Sequence, residues 1–282
     1  MDKHHIAIIG CGYIGTEVAA LWSKKGYHIT ATTRHTERLT ELSHVAQKSV
    51  ILKGIDEEEM APLISANKTL LITVAADNSD HYESAYLHTA QLLRHLALQM
   101  DMPRRLIYTS STSVYGDHKG QWVDEGSELL AESDQAKILM EAERIYLSLQ
   151  ELGWHVTILR LAEIYGPGRE FSHKVKEMKG YSIPGSGDQY TNMAHQADIV
   201  AAIDYSLRHH LEGVFNIADD DHQTRKELYH MICHKYHLPE PKWDPTLTEI
   251  RGGNKRVSNH KIKGEGFVFR HPHRQLDYTT TA

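Results

Sequence analysis

Near the start of the chain, Gly10-Cys11-Gly12-Tyr13-Ile14-Gly15 sets three glycines at the spacing that lets a backbone wrap a pyrophosphate. In such a turn Gly10 permits the sharp change of direction, and Gly12 lets the main chain approach phosphate oxygens. Gly15 lets the following helix pack closely on the preceding strand. The apolar run His5–Ile9 leads straight into the turn, and a helical pattern opens at Gly15. A phosphate there would meet unpaired backbone N–H groups and the positive end of the helix dipole. The next strand end decides which dinucleotide fits. An acidic residue there would bond the ribose 2′-hydroxyl of NAD, but this chain reads Thr32-Thr33-Arg34-His35, with Arg38 a helical turn later. Arginine suits a 2′-phosphate, so NADP is predicted in preference to NAD. Cys11, inside the turn, is expected to serve only as a small side chain.

Other groupings carry less. His230, His234 and His237 have helical spacing, but no HExxH arrangement or carboxylate trio accompanies them. A solvated helix face is expected, and no metal site. Ser110–Ser113 lacks the Gly-x-Ser-x-Gly context of a nucleophile elbow. Arg251, Lys255, Arg256, Lys261 and Lys263 are interleaved with Gly and Asn and read as solvated surface.

The elements that must position the glycine turn are legible as an alternation. Strands are predicted over His5–Ile9, His28–Thr32, Val50–Lys53, Thr69–Val74, Arg105–Thr109, His155–Arg160 and Val214–Ile217. Helical patterns fall at Gly15–Lys25, Thr36–Ser43, Tyr82–Leu98, Gln135–Leu152, Gln196–His209 and Thr224–Tyr236. Several strands are apolar nearly throughout, as strands covered on both faces should be. The order implies an α/β fold with a doubly wound parallel sheet. Loop chemistry at Gly166-Pro167-Gly168 and Pro184–Asp188 suggests a change of role after about residue 165. Residues 1–165 are expected to form the dinucleotide-binding domain and 166–282 mainly a small capping lobe over the substrate. The stretch 196–218 is expected to return to the sheet.

Composition bounds the classes. The 282 residues, 40% hydrophobic and 24% charged, are ample for a large core. A net charge of −6 argues against a nucleic-acid partner. With 21 histidines, the surface charge should reverse sign in mild acid. Two cysteines make no disulfide framework, and no apolar run is long enough for a membrane helix. A soluble, cytoplasmic protein without membrane association is expected.

One further motif, Thr109-Ser110-Ser111-Thr112-Ser113-Val114-Tyr115-Gly116, brings a family into view. With the glycine turn, Lys137 and Glu141, Leu159-Arg160-Leu161, Ile164-Tyr165-Gly166-Pro167-Gly168 and the segment Asn192 to Asp198, the chain resembles an extended or atypical short-chain dehydrogenase/reductase of the NAD-dependent epimerase/dehydratase group. The resemblance spans at least residues 5 to 218 and implies a Rossmann sheet. It implies dinucleotide contacts from Gly10, Gly12, Tyr13, Ile14, Gly15, Thr33, Arg34, Arg38, Ala75, Ala76 and Lys137, and a homodimer as the usual assembly. In such enzymes a serine bonds the substrate oxygen, a tyrosine exchanges a proton with it, and a lysine holds the nicotinamide ribose. Ser111 and Lys137 match the first and last. The tyrosine's place, one helical turn before Lys137, holds Ser133. Tyr115 is the nearest substitute in sequence, with Tyr86 and Tyr165 as others. Thr112 and Ser113 stand where sugar-nucleotide dehydratases place an Asp-Glu pair, and Glu163 where nucleotide-sugar epimerases usually carry Asn. Nucleotide-sugar chemistry is therefore disfavoured. The resemblance implies an NADP(H)-dependent oxidoreductase or epimerase acting on a small polar carbonyl or hydroxyl compound. Its alternative is a non-catalytic NADP-binding protein with a redox-sensing or regulatory role.

Overall fold

The computed structural model describes residues 4–52, 56–76, 79–99, 104–171, 182–247 and 253–276. Among them, seven strands form the main sheet: β1 (His5–Ile9), β2 (His28–Thr33), β3 (Lys48–Ile51), β4 (Thr69–Ile72), β5 (Arg105–Ser111), β6 (His155–Leu161) and β7 (Gly213–Ile217). Their order across the sheet is β7-β6-β5-β4-β1-β2-β3. β1 pairs in parallel with both β2 and β4, with Ile6 opposite Ile29 on one side and Thr69 on the other. The chain therefore winds outward in one direction from β1 to β3 and in the other from β4 to β7. That reversal opens a crevice beyond the carboxyl ends of β1 and β4, where doubly wound sheets bind ligands.

Burial explains why these strands were readable. Ile6, Ala7 and Ile8 have no exposed surface and Ile9 only 2%, as expected of a central strand covered on both faces. The α-helices among the described residues are α1 (Gly15–Lys24), α2 (Leu39–Ser43), α3 (Glu57–Ala66), α4 (Thr89–Ala97), α5 (Asp134–Ser148), α6 (Gln196–Arg208), α7 (Arg225–Tyr236) and α8 (His260–Gly264). Helix α4 buries Ala90, Leu93, Leu96 and Ala97 in a core shared with Leu70, Ile72, Leu106 and Tyr146. A fully buried leucine of this kind stabilises by about 1.5–3 kcal/mol.

The structure departs from the sequence expectations in several places. α3 was not foreseen, because Pro62 lies within it and breaks the pattern of a helix interior. Its start is nonetheless marked, since the Asp56 carboxylate accepts the Glu58 N–H and three glutamates fill the first turn. The expected helix from Tyr82 divides into a π turn at Ser84–His88 followed by α4. The third strand lies two residues earlier than predicted, and Lys53 falls outside the described residues. Three pairs of short parallel strands, such as Glu163–Tyr165 with Met193–His195, are too brief to show a period in sequence.

By contacts the chain divides into two compact units. The first comprises residues 1–110, 137–159 and 200–214, and the second 111–136, 160–199 and 215–282. Neither is continuous in sequence, so no single position such as 165 separates them. The second unit has its own apolar cluster, with Tyr165, Phe171, Met193, Leu228 and Ile232 at its centre. No helix among the described residues is long and apolar enough to cross a membrane.

Candidate active site

The glycine turn follows β1 without an intervening residue and is held from three sides. Gly10 donates its N–H to Thr32 Oγ1 at 3.1 Å, and Cys11 donates to the Thr32 carbonyl at 2.8 Å. The Thr73 hydroxyl, just past β4, donates to the Gly10 carbonyl at 2.7 Å. At Gly10, with φ of +92°, an added Cβ would lie 2.8 Å from the Val74 backbone; at Gly15 it would lie 2.7 Å from the Gly10 carbonyl oxygen. Gly12 differs, because nothing stands within 4 Å of the place its Cβ would occupy. The bare backbone at Gly12 thus faces open space beside the first turn of α1, whose N-cap residue Ile14 supplies no capping side chain. Those features fit a pyrophosphate on the helix N-terminus.

The space belongs to a cleft of about 320 Å³, wholly within the first unit. Of the residues expected to contact a dinucleotide, Gly10, Gly12, Thr33, Arg34, Arg38 and Ala75 line it, whereas Tyr13, Ile14, Gly15, Ala76 and Lys137 are not in its walls. Gly15 instead serves the close packing of α1 on Thr73. Ser84, Ala85 and Thr89 also line it, small residues around the π turn that carry no recognisable signature. His35 and Cys11 also reach the cleft. Burial pushes the Cys11 thiol up to about 12, so it stays protonated and unreactive at neutral pH.

Two arginines enter this cleft on different terms. Arg34 donates from Nη2 to the Ala75 carbonyl at 2.9 Å, bridging the ends of β2 and β4. Arg38 grips the turn itself: its guanidinium donates to the Cys11 carbonyl and to Thr16 Oγ1, and pairs with both carboxylate oxygens of Glu41 at 2.9 and 3.1 Å. That pairing raises the Arg38 pKa and lowers that of Glu41.

Comparison with known proteins fits this geometry. The model of the NAD dependent epimerase/dehydratase family matches residues 6–218, three-quarters of the chain. The chain belongs to that family. Over 274 residues it is 30% identical to the protein YeeZ of Escherichia coli strain K12, covering 95% of this chain and 96% of YeeZ. A solved structure of a functionally unknown conserved protein from Silicibacter pomeroyi superposes with a TM-score of 0.77 at 25% identity, over 96% of this chain and 95% of that one. The structure of MoeE5 in complex with UDP-glucuronic acid and NAD gives a TM-score of 0.75 at 18% identity, over 95% and 94% of the two chains. The likeness to MoeE5 concerns the fold alone.

An epimerase/dehydratase-family protein is a nicotinamide-dinucleotide-binding oxidoreductase by class. Ser111 ends β5, and its Oγ accepts the Ser113 N–H at 3.1 Å, capping the 3-10 turn Thr112–Tyr115. Tyr115, in that turn, is fully buried. Its hydroxyl donates to Asn216 Oδ1 at 2.8 Å and the Arg160 guanidinium lies 4.9 Å from its ring centre. Burial raises the Tyr115 pKa, against the lowering effect of Arg160 and Asn216. Lys137 is exposed, in the opening turns of α5. Glu141, one turn on, pairs with Arg144 at 2.5 Å. Ser111 and Tyr115 fall in the second unit and Lys137 at the edge of the first.

Ser133, where the resemblance expects a tyrosine, has a local structural role. Ser133 Oγ accepts the Ala136 N–H at 3.2 Å, immediately before α5 begins at Asp134. Ser133 is therefore the N-cap of the helix, not a residue within it one turn before Lys137. A serine at this place satisfies an orphan N–H that a tyrosine side chain could not. The other tyrosines are committed elsewhere: Tyr86 lies against the Ala76 backbone with its pKa raised by burial, and the Tyr165 ring stacks on Phe171.

Outside this site the histidine expectations sort cleanly. α7 ends at Tyr236, and His237 is left-handed with φ of +50°, so the third histidine leaves the helical face. His230 pairs with Glu240 at 2.6 Å on the surface. Lys255 corrects the expectation of a solvated basic stretch, since it is 4% exposed with Nζ 3.2 Å from the Gly116 carbonyl. Arg251 lies outside the described residues. A grouping with metal-ligand chemistry that sequence spacing could not reveal is His195, Asp198 and His271, whose ligand atoms lie within 4.8 Å of one another. Its atoms also make hydrogen bonds: the Asp198 carboxylate accepts the backbone N–H groups of Arg270 and His271, and His195 Nδ1 accepts that of Ala197.

Proposed function

We propose that the protein binds NADP(H) in the cleft after β1 and acts as an oxidoreductase or epimerase on a small polar carbonyl or hydroxyl compound. The observation that carries the cofactor choice is the pair Arg34 and Arg38 in the wall formed by the end of β2, where an acidic residue would serve NAD. Arg34 offers a planar donor set for a 2′-phosphate, while Arg38, already holding the glycine turn, adds positive charge behind it. The open side of Gly12 and the uncapped start of α1 would take the pyrophosphate.

A bound nicotinamide supplies hydride transfer. This chain's own contribution is orientation and proton handling. Ser111 would donate its hydroxyl proton in a hydrogen bond to the substrate oxygen while its Oγ stays anchored by the Ser113 N–H. Lys137 would hold the ribose hydroxyls. Tyr115, bonded to Asn216, supports the strand end in this reading, and the proton itself would come from water or from a substrate group.

A second reading is favoured by one observation, the capping role of Ser133. A chain that has given the proton donor's place to a helix cap could bind the dinucleotide without turning over, as a redox-sensing or regulatory protein. Titration of the purified protein with NADPH and NADH, followed by nicotinamide fluorescence, tests the cofactor assignment. NADPH should bind much more tightly than NADH, and Arg34→Ala should remove most of that preference. Equal weakening of both would defeat the choice of NADP. A carbonyl-substrate screen comparing the protein with Ser111→Ala then separates the two readings, because only an enzyme loses turnover.

A further inference from the structure

The first unit contains a second cavity, of about 500 Å³, at the opposite edge of the sheet from the dinucleotide cleft. It is an open hollow bordered by the amino ends of β1, β4, β5 and β6 and by the last turn of α6. Its walls carry Lys68, Arg104, Arg105 and Arg208, with His4 and His210 beside them, and none of the lining residues is acidic. The protein as a whole has a net charge of −6, so this concentration of cations runs against its average.

Among the described residues, Glu212 and Asp204 stand near the cavity, and both are engaged. Glu212 meets His155 Nδ1 at 2.6 Å, and Asp204 is shared between Lys25 at 2.6 Å and Arg208 at 2.8 Å. Several of the cations are fixed in place rather than trailing in solvent. The Arg104 guanidinium donates to the Ile64 and Ser65 carbonyls at the end of α3, and Arg105 Nη1 donates to the Leu211 carbonyl at 3.2 Å. His4 is held by Thr69 Oγ1 at 2.8 Å. The crowding of like charge is felt locally: His4 is pushed below its ordinary pKa by burial and then by Lys68, His5 and Arg105. Like charges gathered around a concave space repel one another, and an anion bound there would turn that repulsion into attraction.

The ligand's class follows from number, shape and size. Four permanent cations, one of them already shared with Asp204, call for more than one negative charge. Guanidinium groups match the oxygens of phosphate in planar, paired geometry, and the volume lies within the range of small-molecule sites. We propose that this cavity binds a polyphosphate, either the di- or triphosphate of a nucleotide or a free polyphosphate. The site is distinct from the dinucleotide cleft. His4 precedes β1 and Gly10 follows it, so the five-residue strand separates the two by about 17 Å at ~3.3 Å per residue.

The test is calorimetric titration of the full chain with tripolyphosphate, ATP and adenosine at low salt, repeated with Lys68→Glu and, separately, Arg105→Met. Lys68 is exposed, so its variant should keep the fold, and thermal unfolding of each variant checks this. Saturable binding of tripolyphosphate is expected, weakened by added salt and by about tenfold or more in either folded variant, with NADPH titration unchanged. Equal affinity for ATP and tripolyphosphate, with adenosine inert, points to free polyphosphate; a clear preference for ATP points to a nucleotide. No saturable binding, binding that both variants leave intact, or binding that NADPH fully displaces would overturn the assignment.

Discussion

Gly10 and Gly12 sit two residues apart in one turn, yet they respond to opposite demands. A methyl group at Gly10 would meet the Val74 backbone at 2.8 Å and would have to accept a φ of +92°. Left-handed backbone costs a non-glycine residue about 1–2 kcal/mol, and forced overpacking about 1–3 kcal/mol more. Gly10→Ala is therefore expected to destabilise the protein by about 2–5 kcal/mol, read by urea unfolding. At Gly12 the same methyl meets nothing. Gly12→Ala should leave stability within about 0.5 kcal/mol and lower dinucleotide affinity, because the added group occupies the approach of the phosphate. If Gly12→Ala binds NADPH normally, the pyrophosphate lies elsewhere. Arg38 is instructive at the same scale. Its positive charge after β2 was legible in the sequence, but its grip on the Cys11 carbonyl was not. Such a bond depends on where the first turn and the second helix meet, and no local pattern encodes that meeting.

At the scale of elements, α5 shows how one residue position can serve two incompatible purposes. Ser133 caps the helix by accepting the Ala136 N–H. Ser133→Ala should cost about 1 kcal/mol of stability, as loss of an N-cap oxygen does, measurable as a lowered midpoint in urea. Ser133→Gly should cost less, since glycine is tolerated at that position; an alanine variant as stable as the parent would show that the cap contributes nothing. The same contrast explains what was readable in the chain. β1 declares itself through Ile6-Ala7-Ile8-Ile9, because a strand buried on both faces must be apolar throughout. Thr224 and Glu227 likewise mark the start of α7 through a capping box that the structure contains. α3 stayed hidden behind Pro62, and Ser84, Ala85 and Thr89 gave no sign of lining a cleft. Small residues announce room, not the neighbour that will use it. The serine at 133 was visible, but its capping role depended on where the helix begins, which a periodic pattern fixes only loosely.

For the molecule as a whole, acid should be destabilising for reasons that can be assigned. Burial, then His271, lowers the His195 pKa to about 4, and burial followed by Arg274 does the same for His222. Both folded-state values lie below the ordinary histidine value of about 6.5, so the unfolded chain takes up protons first as pH falls. Each of the two should withdraw stability between about pH 6.5 and about pH 4, by at most about 1.4 kcal/mol per pH unit, while Asp219, which burial raises to about 7, opposes them over that window. Below it the lowered carboxylates of Asp117 and Asp204 lose their stabilising charge in turn. His195→Asn keeps an acceptor for the Ala197 N–H and removes the titration, so its unfolding free energy should fall less steeply over that window. An unchanged slope would exonerate His195.

The chain passes five times between its two compact units, and each unit borrows residues distant in sequence. Asp204, which anchors Trp22 Nε1 at 3.1 Å and Lys25 at 2.6 Å, reaches the first unit from α6, some 180 positions downstream. Genes that recombine by exchanging contiguous pieces would therefore find no seam here. A fragment ending at residue 165 would strand the buried Trp22 indole without its acceptor and leave the sheet without β7. It should show no cooperative unfolding transition by circular dichroism, whereas the full chain should. Exchange of contiguous pieces is therefore constrained at Asp204, whose carboxylate holds an indole in α1 and the ammonium that follows it.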